Sequence, residues 1–311
     1  MTKTLVIGGA GFIGSHIVRR QLELGRAVTV LDDLSSGYRH NLAEVESDIE
    51  LIEGTICDLE TVRRASKGVD TVFHLAARAS VPRSVSEPIN TNAVNINGTL
   101  NVLVAARDND VRRVVNSASS AAYGETPQLP KTETILPQPL SPYAVSKLAA
   151  EYYCAAFSEC YGLGTISLRY FNVFGPRQDP AGEYAAVIPA FVAAMLVGKR
   201  PLVYGDGEQS RDFCFVDNVV NANCLAAEAD GMRGQAVNIA CGQRTTLNEM
   251  IAVINESLGT DLAPDYQPER KGDIKHSLAD LSLAEQLIGY RPGIMFAEGL
   301  ARSIEWYREH L

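Results

Sequence analysis

The chain lacks the cysteine spacing of a structural zinc site or of a disulfide framework. Its 311 residues contain six cysteines, and no two of them form a Cys-x-x-Cys pair. We therefore expect reduced thiols, most of them in the core, and no bound metal. His74 is interpreted as a histidine of the core or of a strand end, because no second histidine or acidic residue stands at ligand spacing.

The sequence also lacks an excess of positive charge and a long apolar run. Its formal net charge is -9, which disfavours nucleic acid as a partner and leaves any polyanionic ligand to local arginines such as Arg211 and Arg270. Glycine interrupts residues 1–8 too soon for a secretory signal, and Pro189 interrupts the apolar stretch at 185–197. We expect a cytoplasmic protein that does not enter a membrane.

Internal repeats and low-complexity segments are absent as well. Short β-branched runs alternate instead with longer helical patterns. This alternation predicts an α/β fold of the Rossmann type, with a doubly wound parallel sheet. The predicted strands are 5–7, 28–31, 51–52, 71–75, 114–116 and 165–168, and residues 143–161 are predicted to form one long helix.

A Pro/Gly-rich loop at residues 170–180 marks the start of a smaller α/β lobe. Residues 237–240 again resemble a strand, and Asp217 can cap a helix over residues 218–227, so the chain is expected to return to the first sheet. We therefore predict a nucleotide-binding domain of residues 1–169 plus about 213–241. The second domain comprises about 170–212 plus 242–311.

A glycine-rich turn follows the first strand and opens the first helix. Gly8, Gly11 and Gly14 have the spacing Gly-x-x-Gly-x-x-Gly, which departs from the Gly-x-Gly-x-x-Gly dinucleotide fingerprint. Its position between strand and helix is what favours a pyrophosphate site, since the positive helix end attracts phosphate. Phe12 and Ile13 within the turn are further candidate cofactor contacts.

Asp32 ends the second strand, about 20 residues beyond the glycines, where a carboxylate can accept hydrogen bonds from an adenosine ribose. This predicts NAD rather than NADP, because a 2′-phosphate would be repelled. A solvated strand-end carboxylate is the alternative, and Arg39 is not far away. Other candidate cofactor contacts follow the second, third and fourth strands: Asp33, Leu34, Ser35, Ser36, Gly37, Asp58, Leu59, Leu75, Ala76 and Ala77.

Tyr143 and Lys147 form a candidate proton-transfer pair. Ser141 can cap a helix and Pro142 suits its first position, so the two side chains lie one turn apart on the same face. A phenol with a pKa of about 10 is a poor base at neutral pH, but a nearby ammonium lowers that pKa by roughly 1–3 units. An oxidised nicotinamide would add a second positive charge.

These features in this order resemble the extended short-chain dehydrogenase/reductases, and specifically the nucleotide-sugar 4-epimerases. The glycine turn and Asp32 are followed by NINGT at 95–99, Ser119 and the Tyr143/Lys147 pair. The resemblance runs nearly end to end and is closest to the UDP-N-acetylglucosamine 4-epimerases. Its carboxyl half rests on RYFNVFGPRQDP at 169–180, YAAVIP at 184–189, GDGEQSRDF at 205–213 and RKGDIKHSLAD at 270–280.

The resemblance implies an NAD-dependent isomerase acting through a transient 4-keto sugar. Tyr143 would remove the proton of the 4-hydroxyl group, Lys147 would hold the nicotinamide ribose and lower the tyrosine pKa, and Ser119 would bond to the same oxygen. The hydride would pass from C4 to tightly bound NAD and return to the other face after the sugar turns. Further cofactor contacts implied are Asn95, Tyr170, Asn172 and Val173.

The resemblance also implies how a UDP-sugar is held. Arg211 and Arg270 match diphosphate contacts, Asn172 would contact the diphosphate or the sugar, and Tyr204 would stack on uracil. Ser277 stands where some relatives restricted to UDP-glucose and UDP-galactose have tyrosine, so its small size favours acetamido sugars. The remaining residues implied for substrate binding are Ser80, Ser120, Gln178, Ala186 and Val187, of which Val187 belongs to the 184–189 motif and the others to the acetamido pocket.

Three alternatives remain. The first is a UDP-glucose 4-epimerase acting mainly on non-acetylated sugars, since such packing is worth only about 1–3 kcal/mol. The second, a nucleotide-sugar 4,6-dehydratase, needs acidic groups beside Ser119, where the sequence has Ser120 and Ala121. The third is a non-catalytic NAD-sensing protein, which should lack the base. The resemblance also implies a homodimer formed through helices near residues 92–107 and 143–161.

Overall fold

A computed structural model describes residues 2–180, 186–269 and 275–311. Residues 184–185 and 270–274 of the motifs above, Arg270 among them, lie outside the described residues. The first half alternates strands and helices: β1 (Lys3–Ile7), α1 (Phe12–Glu23), β2 (Ala27–Asp32), β3 (Ile49–Glu53), α2 (Leu59–Ala65), β4 (Thr71–His74), α3 (Val81–Ser86), α4 (Pro88–Asn92), α5 (Thr99–Asp108), β5 (Arg113–Ser119), α6 (Pro142–Tyr161) and β6 (Gly164–Tyr170). A π-helical turn, Ala93–Gly98, joins α4 to α5, and 3₁₀ turns span Arg39–Asp48 and Ser120–Tyr123.

The second half has shorter strands and a carboxyl-terminal helix. Its elements are β7 (Val173–Phe174), α7 (Val187–Leu196), β8 (Leu202–Tyr204), β9 (Ser210–Arg211), β10 (Cys214–Phe215), α8 (Val216–Glu228), β11 (Gln235–Ile239), β12 (Thr245–Thr246), α9 (Leu247–Leu258), β13 (Asp265–Gln267), α10 (Ser282–Ile288) and α11 (Phe296–His310).

Seven parallel strands form the main sheet, in the order β3-β2-β1-β4-β5-β6-β11. The predicted doubly wound sheet is confirmed, and so is the return of the chain to it, because β11 pairs with β6. Helices cover both faces, which explains why strand residues such as Leu5, Val6 and Ile7 are all fully buried.

Helix α6 begins as its sequence predicts. Ser141 is the N-cap, and its hydroxyl accepts a hydrogen bond from Ala144 N at 3.1 Å. Pro142 occupies the first turn, and the helix ends at Gly162, whose φ of +70° is readily adopted by glycine. These local signals fix the helical register that places Tyr143 and Lys147 on one face.

The prediction that Asp217 caps α8 is wrong. The helix begins at Val216, and Phe215 is its N-cap without a side-chain bond. Strand β10 runs directly into this helix, so Phe215 ends the strand and also precedes the first helical residue. Asp217 lies in the first turn, where its carboxylate still faces the positive end of the helix.

The smaller lobe shares a continuous core with one face of the sheet. Four phenylalanines, Phe174, Phe213, Phe215 and Phe296, pack together there with neighbouring ring centroids 5.6–6.5 Å apart. This packing seats the lobe beside the carboxyl ends of the strands.

All six cysteines are free thiols. Cys154, Cys214 and Cys241 are buried as expected, Cys224 is half-buried, and Cys57 and Cys160 are exposed. His74 is buried at the end of β4, with Nε2 2.8 Å from Thr99 Oγ1. In the part of the chain that the structure describes, no group of His, Cys, Asp or Glu could hold a metal ion, and no helix is long and apolar enough to cross a bilayer.

Candidate active site

A cavity of about 680 Å³ opens beside the carboxyl ends of the strands, where the strand order reverses between β1 and β4. Open parallel sheets bind ligands at this switch point. The cavity brings together most of the predicted site residues. They are Gly8, Gly11, Phe12, Ile13, Gly14, Asp32, Asp33, Ser35, Ser36, Gly37, Leu75, Ala76, Ala77, Ser119, Ser120, Tyr143, Lys147, Tyr170, Asn172, Val173, Gln178, Arg211 and Ser277.

The glycine turn at one end of the cavity has no space for side chains. Gly8 has a φ of +82°, and a Cβ atom there would lie 2.6 Å from Ala76 N. A Cβ atom on Gly14 would lie 2.1 Å from Gly8 O. The turn is therefore tight enough to bring backbone N–H groups and the start of α1 close to a phosphate.

Asp32 connects the second strand to this turn. One carboxylate oxygen accepts from Ala10 N and the other from Leu34 N, both at 2.9 Å. Burial raises the pKa of Asp32, while these two bonds and the adjacent Asp33 act more weakly on it. The side chain is thus fixed at the cavity wall, where a ribose diol could reach it.

The proton-transfer residues lie at the middle of the cavity. Burial raises the pKa of Tyr143, and a hydrogen bond with Ser119 opposes that rise. The Lys147 ammonium donates to Ser117 O at 2.8 Å and lies 3.4 Å from Ser117 Oγ. Among the protein's own groups, burial therefore has the largest effect on the tyrosine pKa and shifts it upward.

Burial disfavours the charged form of Lys147. It is only 6% exposed, and burial lowers its pKa from 10.5 to about 8 although the Glu151 carboxylate acts in the opposite direction. At neutral pH the side chain still carries its charge. The cavity thus contains a buried ammonium within a helical turn of the phenol.

Three separate segments build the other end of the cavity. Asn172 Nδ2 donates to Asp212 O at 2.9 Å and to Ser277 Oγ at 3.3 Å. The buried Asp212 carboxylate accepts from Cys241 N, Gly242 N and Ala279 N at 2.9–3.2 Å, and burial raises its pKa to about 6. Asp212 thereby holds the segment carrying Ser277 beside β7 and β9.

Several predicted residues do not line the cavity, and two of them cap helices. Asp58 caps α2 by accepting from Glu60 N at 3.1 Å, and Ser80 caps α3 by accepting from Arg83 N at 3.2 Å. The others outside the lining are Leu34, Leu59, Asn95, Ala186, Val187 and Tyr204.

Asn95 lies behind the cavity wall, in the π-helical turn. Its amide nitrogen donates to Ser146 Oγ at 2.9 Å and to Arg78 O at 3.2 Å, and its oxygen accepts from Arg78 N at 2.7 Å. It ties the loop after β4 to helix α6 and so supports the site from behind.

Four lining residues with polar side chains were not predicted as site residues: Arg78, Ser117, Tyr123 and Lys131. Arg78 Nη1 donates to Ser35 Oγ at 2.6 Å, while its buried Nε has no hydrogen-bond partner among the described residues. Arg78 directly follows the predicted contacts at the end of β4, and Ser117 is two residues before Ser119 on the same strand, so both could have been found by position. No sequence signal points to Lys131.

Comparisons with known proteins agree with this geometry. The model of the NAD dependent epimerase/dehydratase family matches residues 4–240. A UDP-glucose 4-epimerase of Mycolicibacterium smegmatis is 40% identical over 98% of both chains. A dTDP-glucose 4,6-dehydratase of Streptomyces griseus is 33% identical, over 99% of this chain and 95% of its own. The solved structure of a UDP-N-acetylglucosamine 4-epimerase from Methanobrevibacter ruminantium, in complex with UDP-N-acetylmuramic acid, superposes with a TM-score of 0.95 at 43% identity, over 100% and 99% of the two chains.

Replacing Lys147 by methionine should stabilise the fold by about 1–3 kcal/mol at pH 7, because it removes a buried charge. The folded-state pKa is lowered from 10.5 to about 8, so the cost of the charge is complete below pH 8 and disappears as the pH rises toward 10.5. Urea unfolding at pH 7 and pH 10 measures the gain, with Lys199→Met at an exposed position as the control. A variant less stable than the wild type at pH 7 would contradict this reading.

Proposed function

Because the chain belongs to the NAD dependent epimerase/dehydratase family, we propose that it is an isomerase that inverts C4 of the hexose in a UDP-sugar. The observation that carries the proposal is the meeting of Ser119, Tyr143 and Lys147 in the cavity that runs from the glycine turn to the smaller lobe. An alcohol carbon held there would have a proton acceptor on one side and the dinucleotide on the other.

The residues of the cavity fit NAD, the cofactor of this family. Gly8 and Gly14 have no room for a Cβ atom against the neighbouring backbone, so the turn is packed tightly beside the start of α1, where a pyrophosphate would lie. Asp32 and Asp33 form the wall where an adenosine ribose would lie, and their charges oppose a 2′-phosphate. Lys147 and Tyr143 would meet the nicotinamide end.

Tyr143 would take the proton of the 4-hydroxyl group, and Ser119 is hydrogen-bonded to the same phenol. NAD bound in the cavity would supply the acceptor for the hydride of C4 and its donor to the opposite face, and its oxidised ring would add positive charge that offsets the effect of burial on the tyrosine pKa. Tyr143 gives the proton back to O4 when C4 is reduced. Proton and hydride are therefore both restored within one turnover.

Inversion requires the 4-keto sugar to turn over while the nucleotide stays fixed. Arg211 lines the cavity and can hold the diphosphate through charge-assisted hydrogen bonds. We propose Arg270, which lies outside the described residues, as the second diphosphate arginine, Asn172 as a diphosphate or sugar contact, and Tyr204 as the uracil platform. The sugar itself meets mainly small or neutral side chains, which permits its rotation.

A 4,6-dehydratase is less well supported, although a dehydratase is among the relatives. Loss of water across C5 and C6 needs acidic groups near the reacting carbons. Among the described lining residues, carboxylates occur only on Asp32 and Asp33, beside the second strand. A non-catalytic NAD-sensing role is disfavoured because the complete set of Ser119, Tyr143 and Lys147 faces the cavity.

We propose that the preferred substrates are UDP-N-acetylglucosamine and UDP-N-acetylgalactosamine, with UDP-glucose and UDP-galactose also converted. Ser277, Ser120 and Gln178 line the cavity, and the small side chain of Ser277 leaves space for an acetamido group. Gln178 Oε1 is buried without a hydrogen-bond partner among the described residues, so it could accept from an amide N–H. The similarity to the Methanobrevibacter UDP-N-acetylglucosamine 4-epimerase supports the same choice.

We propose that the two domains predicted from the sequence bind different ligands. Residues 1–169 with about 213–241 would bind NAD, since β11 completes the main sheet. Residues about 170–212 with 242–311 would bind the UDP-sugar. The free state of all six cysteines supports a cytoplasmic location.

We propose a homodimer formed through α3, α4 and α6. Val85, Ile89, Val145 and Tyr152 expose 48–85% of their surface on these helices. Helix α5, which is also expected to take part, packs against α2 and α6 within the chain. Light scattering of the wild-type protein should give twice the mass of one chain. The Ile89→Glu/Tyr152→Glu variant, in which the catalytic residues are unchanged, should give the mass of one chain. A wild-type protein that stays monomeric at micromolar concentration would rule out this interface.

Tyr143→Phe removes the proposed acid–base group without changing the ring. We expect kcat for C4 epimerisation to fall by about 100-fold or more, whereas NAD content should be preserved. Tyr161→Phe, at the exposed end of the same helix, is the matched control and should epimerise at the wild-type rate. Wild-type turnover in Tyr143→Phe, followed by NMR of the UDP-sugar, would refute the mechanism.

Ser277→Tyr fills the proposed acetamido space. We expect kcat/KM for UDP-N-acetylgalactosamine to fall at least about tenfold relative to that for UDP-galactose. Ser277→Ala keeps the space and should leave the ratio unchanged. If Ser277→Tyr also leaves the ratio unchanged, this serine does not set the preference for acetylated sugars.

A further inference from the structure

Helix α6 carries a third ionisable side chain in line with the proton-transfer pair. Glu151 follows Lys147 by one helical turn, as Lys147 follows Tyr143. Its carboxylate is buried and accepts from Arg169 on β6, with Nε at 3.0 and 3.1 Å from the two oxygens and Nη2 at 2.7 Å from Oε2. Both side chains are at most 5% exposed.

A buried ion pair of this kind contributes little to stability by itself. Removing two charges from water costs about as much as their attraction returns, and apolar replacements are often as stable. Burial accordingly raises the pKa of Glu151 even though the bonds from Arg169 oppose that rise. A role beyond stability would account for two charges at this depth.

The arginine cannot leave the carboxylate easily. Its guanidinium lies over the Tyr123 ring, 4.8 Å from the centroid, and the Tyr123 hydroxyl donates to Asn238 Oδ1 at 2.7 Å. Asn238 Nδ2 in turn donates to Lys131 O at 2.9 Å. Arg169 is thus clamped between helix α6 and the ring of a residue that lines the cavity, and it fixes Glu151 in place.

The other groups around Lys147 do not supply negative charge. On β5, Ser117 offers neutral oxygens. On β4, burial and Lys147 lower the pKa of His74 to about 3, so the imidazole is neutral. On α6 itself, burial raises the pKa of Cys154 to about 12, so the thiol is neutral. Among the described residues that act on the ammonium, Glu151 is therefore the ionised acid, and Arg169 is the other cation of this cluster.

We propose that Glu151, held by Arg169, is a positioning residue that keeps Lys147 protonated and directed at Ser117, so that a cation remains beside Tyr143 at neutral pH. This role rests on the proposed function only in taking Tyr143 as the base that the cation assists. The relation between Glu151 and Lys147 is independent of which substrate the cavity binds.

The direct test is the titration of Lys147 itself. Lysine-labelled ¹³C protein is titrated by NMR of the Cε resonances, and Lys147→Met identifies the signal. In Glu151→Gln we expect the titration midpoint of Lys147 to fall by about one pH unit or more, because the ammonium loses its counter-charge in a buried site. Glu159→Gln, an exposed change on the same helix, should leave the midpoint at the wild-type value.

Glu151→Gln leaves Arg169 buried without a counter-ion, which can prevent folding. The double variant Glu151→Gln/Arg169→Met removes both charges and should still lower the Lys147 midpoint, but by less than Glu151→Gln, because the repulsion from Arg169 is removed as well. With UDP-sugar as substrate, the alkaline limb of kcat should move to lower pH in these variants while KM changes little. An unchanged Lys147 midpoint in the folded variants overturns the proposal even if the wild-type enzyme epimerises. A lowered midpoint in the variants of a protein whose wild type does not epimerise UDP-sugars upholds the proposal and refutes the proposed function instead.

Discussion

The site depends on keeping one ammonium charged although it is almost fully buried. Lys147 is buried beside β5, where its ammonium donates a hydrogen bond to Ser117 O, and burial lowers its pKa. The surrounding elements hold that cation in place. The capped start of α6 fixes the position of Lys147 along the helix, and Ser117 on β5 supplies the carbonyl oxygen that accepts its hydrogen bond. Tyr143, one turn earlier, is useful as a base only while positive charge remains nearby.

The two ends of the cavity solve different problems. At the glycine turn, short distances between backbone atoms and the fixed Asp32 carboxylate make a rigid seat for a dinucleotide. At the other end, three chain segments meet through Asn172 and Asp212 and present small side chains such as Ser277. Inversion of C4 by oxidation and re-reduction requires a cofactor that is held rigidly and a sugar that has space to turn.

The main sheet, the glycine turn and helix α6 could all be predicted from the sequence, because their signals are local: β-branched runs, glycines after a strand, and Ser-Pro before a helix. One local signal was misleading: Asp217 is displaced from the cap because β10 runs into α8. Asp58 and Ser80 were proposed from chain position and from the resemblance, and in the structure both cap helices. Lys131 and the Glu151–Arg169 pair acquire their surroundings only through tertiary packing, which residue spacing does not encode.

The central claim is that the hydride removed from C4 is the hydride returned to it. A UDP-sugar carrying deuterium at C4 tests this directly in ordinary water, with NMR or mass analysis of the epimerised product. The account predicts inverted product that retains deuterium at C4, because NAD holds the label within one turnover and Tyr143 exchanges only the hydroxyl proton. Product that has lost deuterium to water at C4 would contradict it.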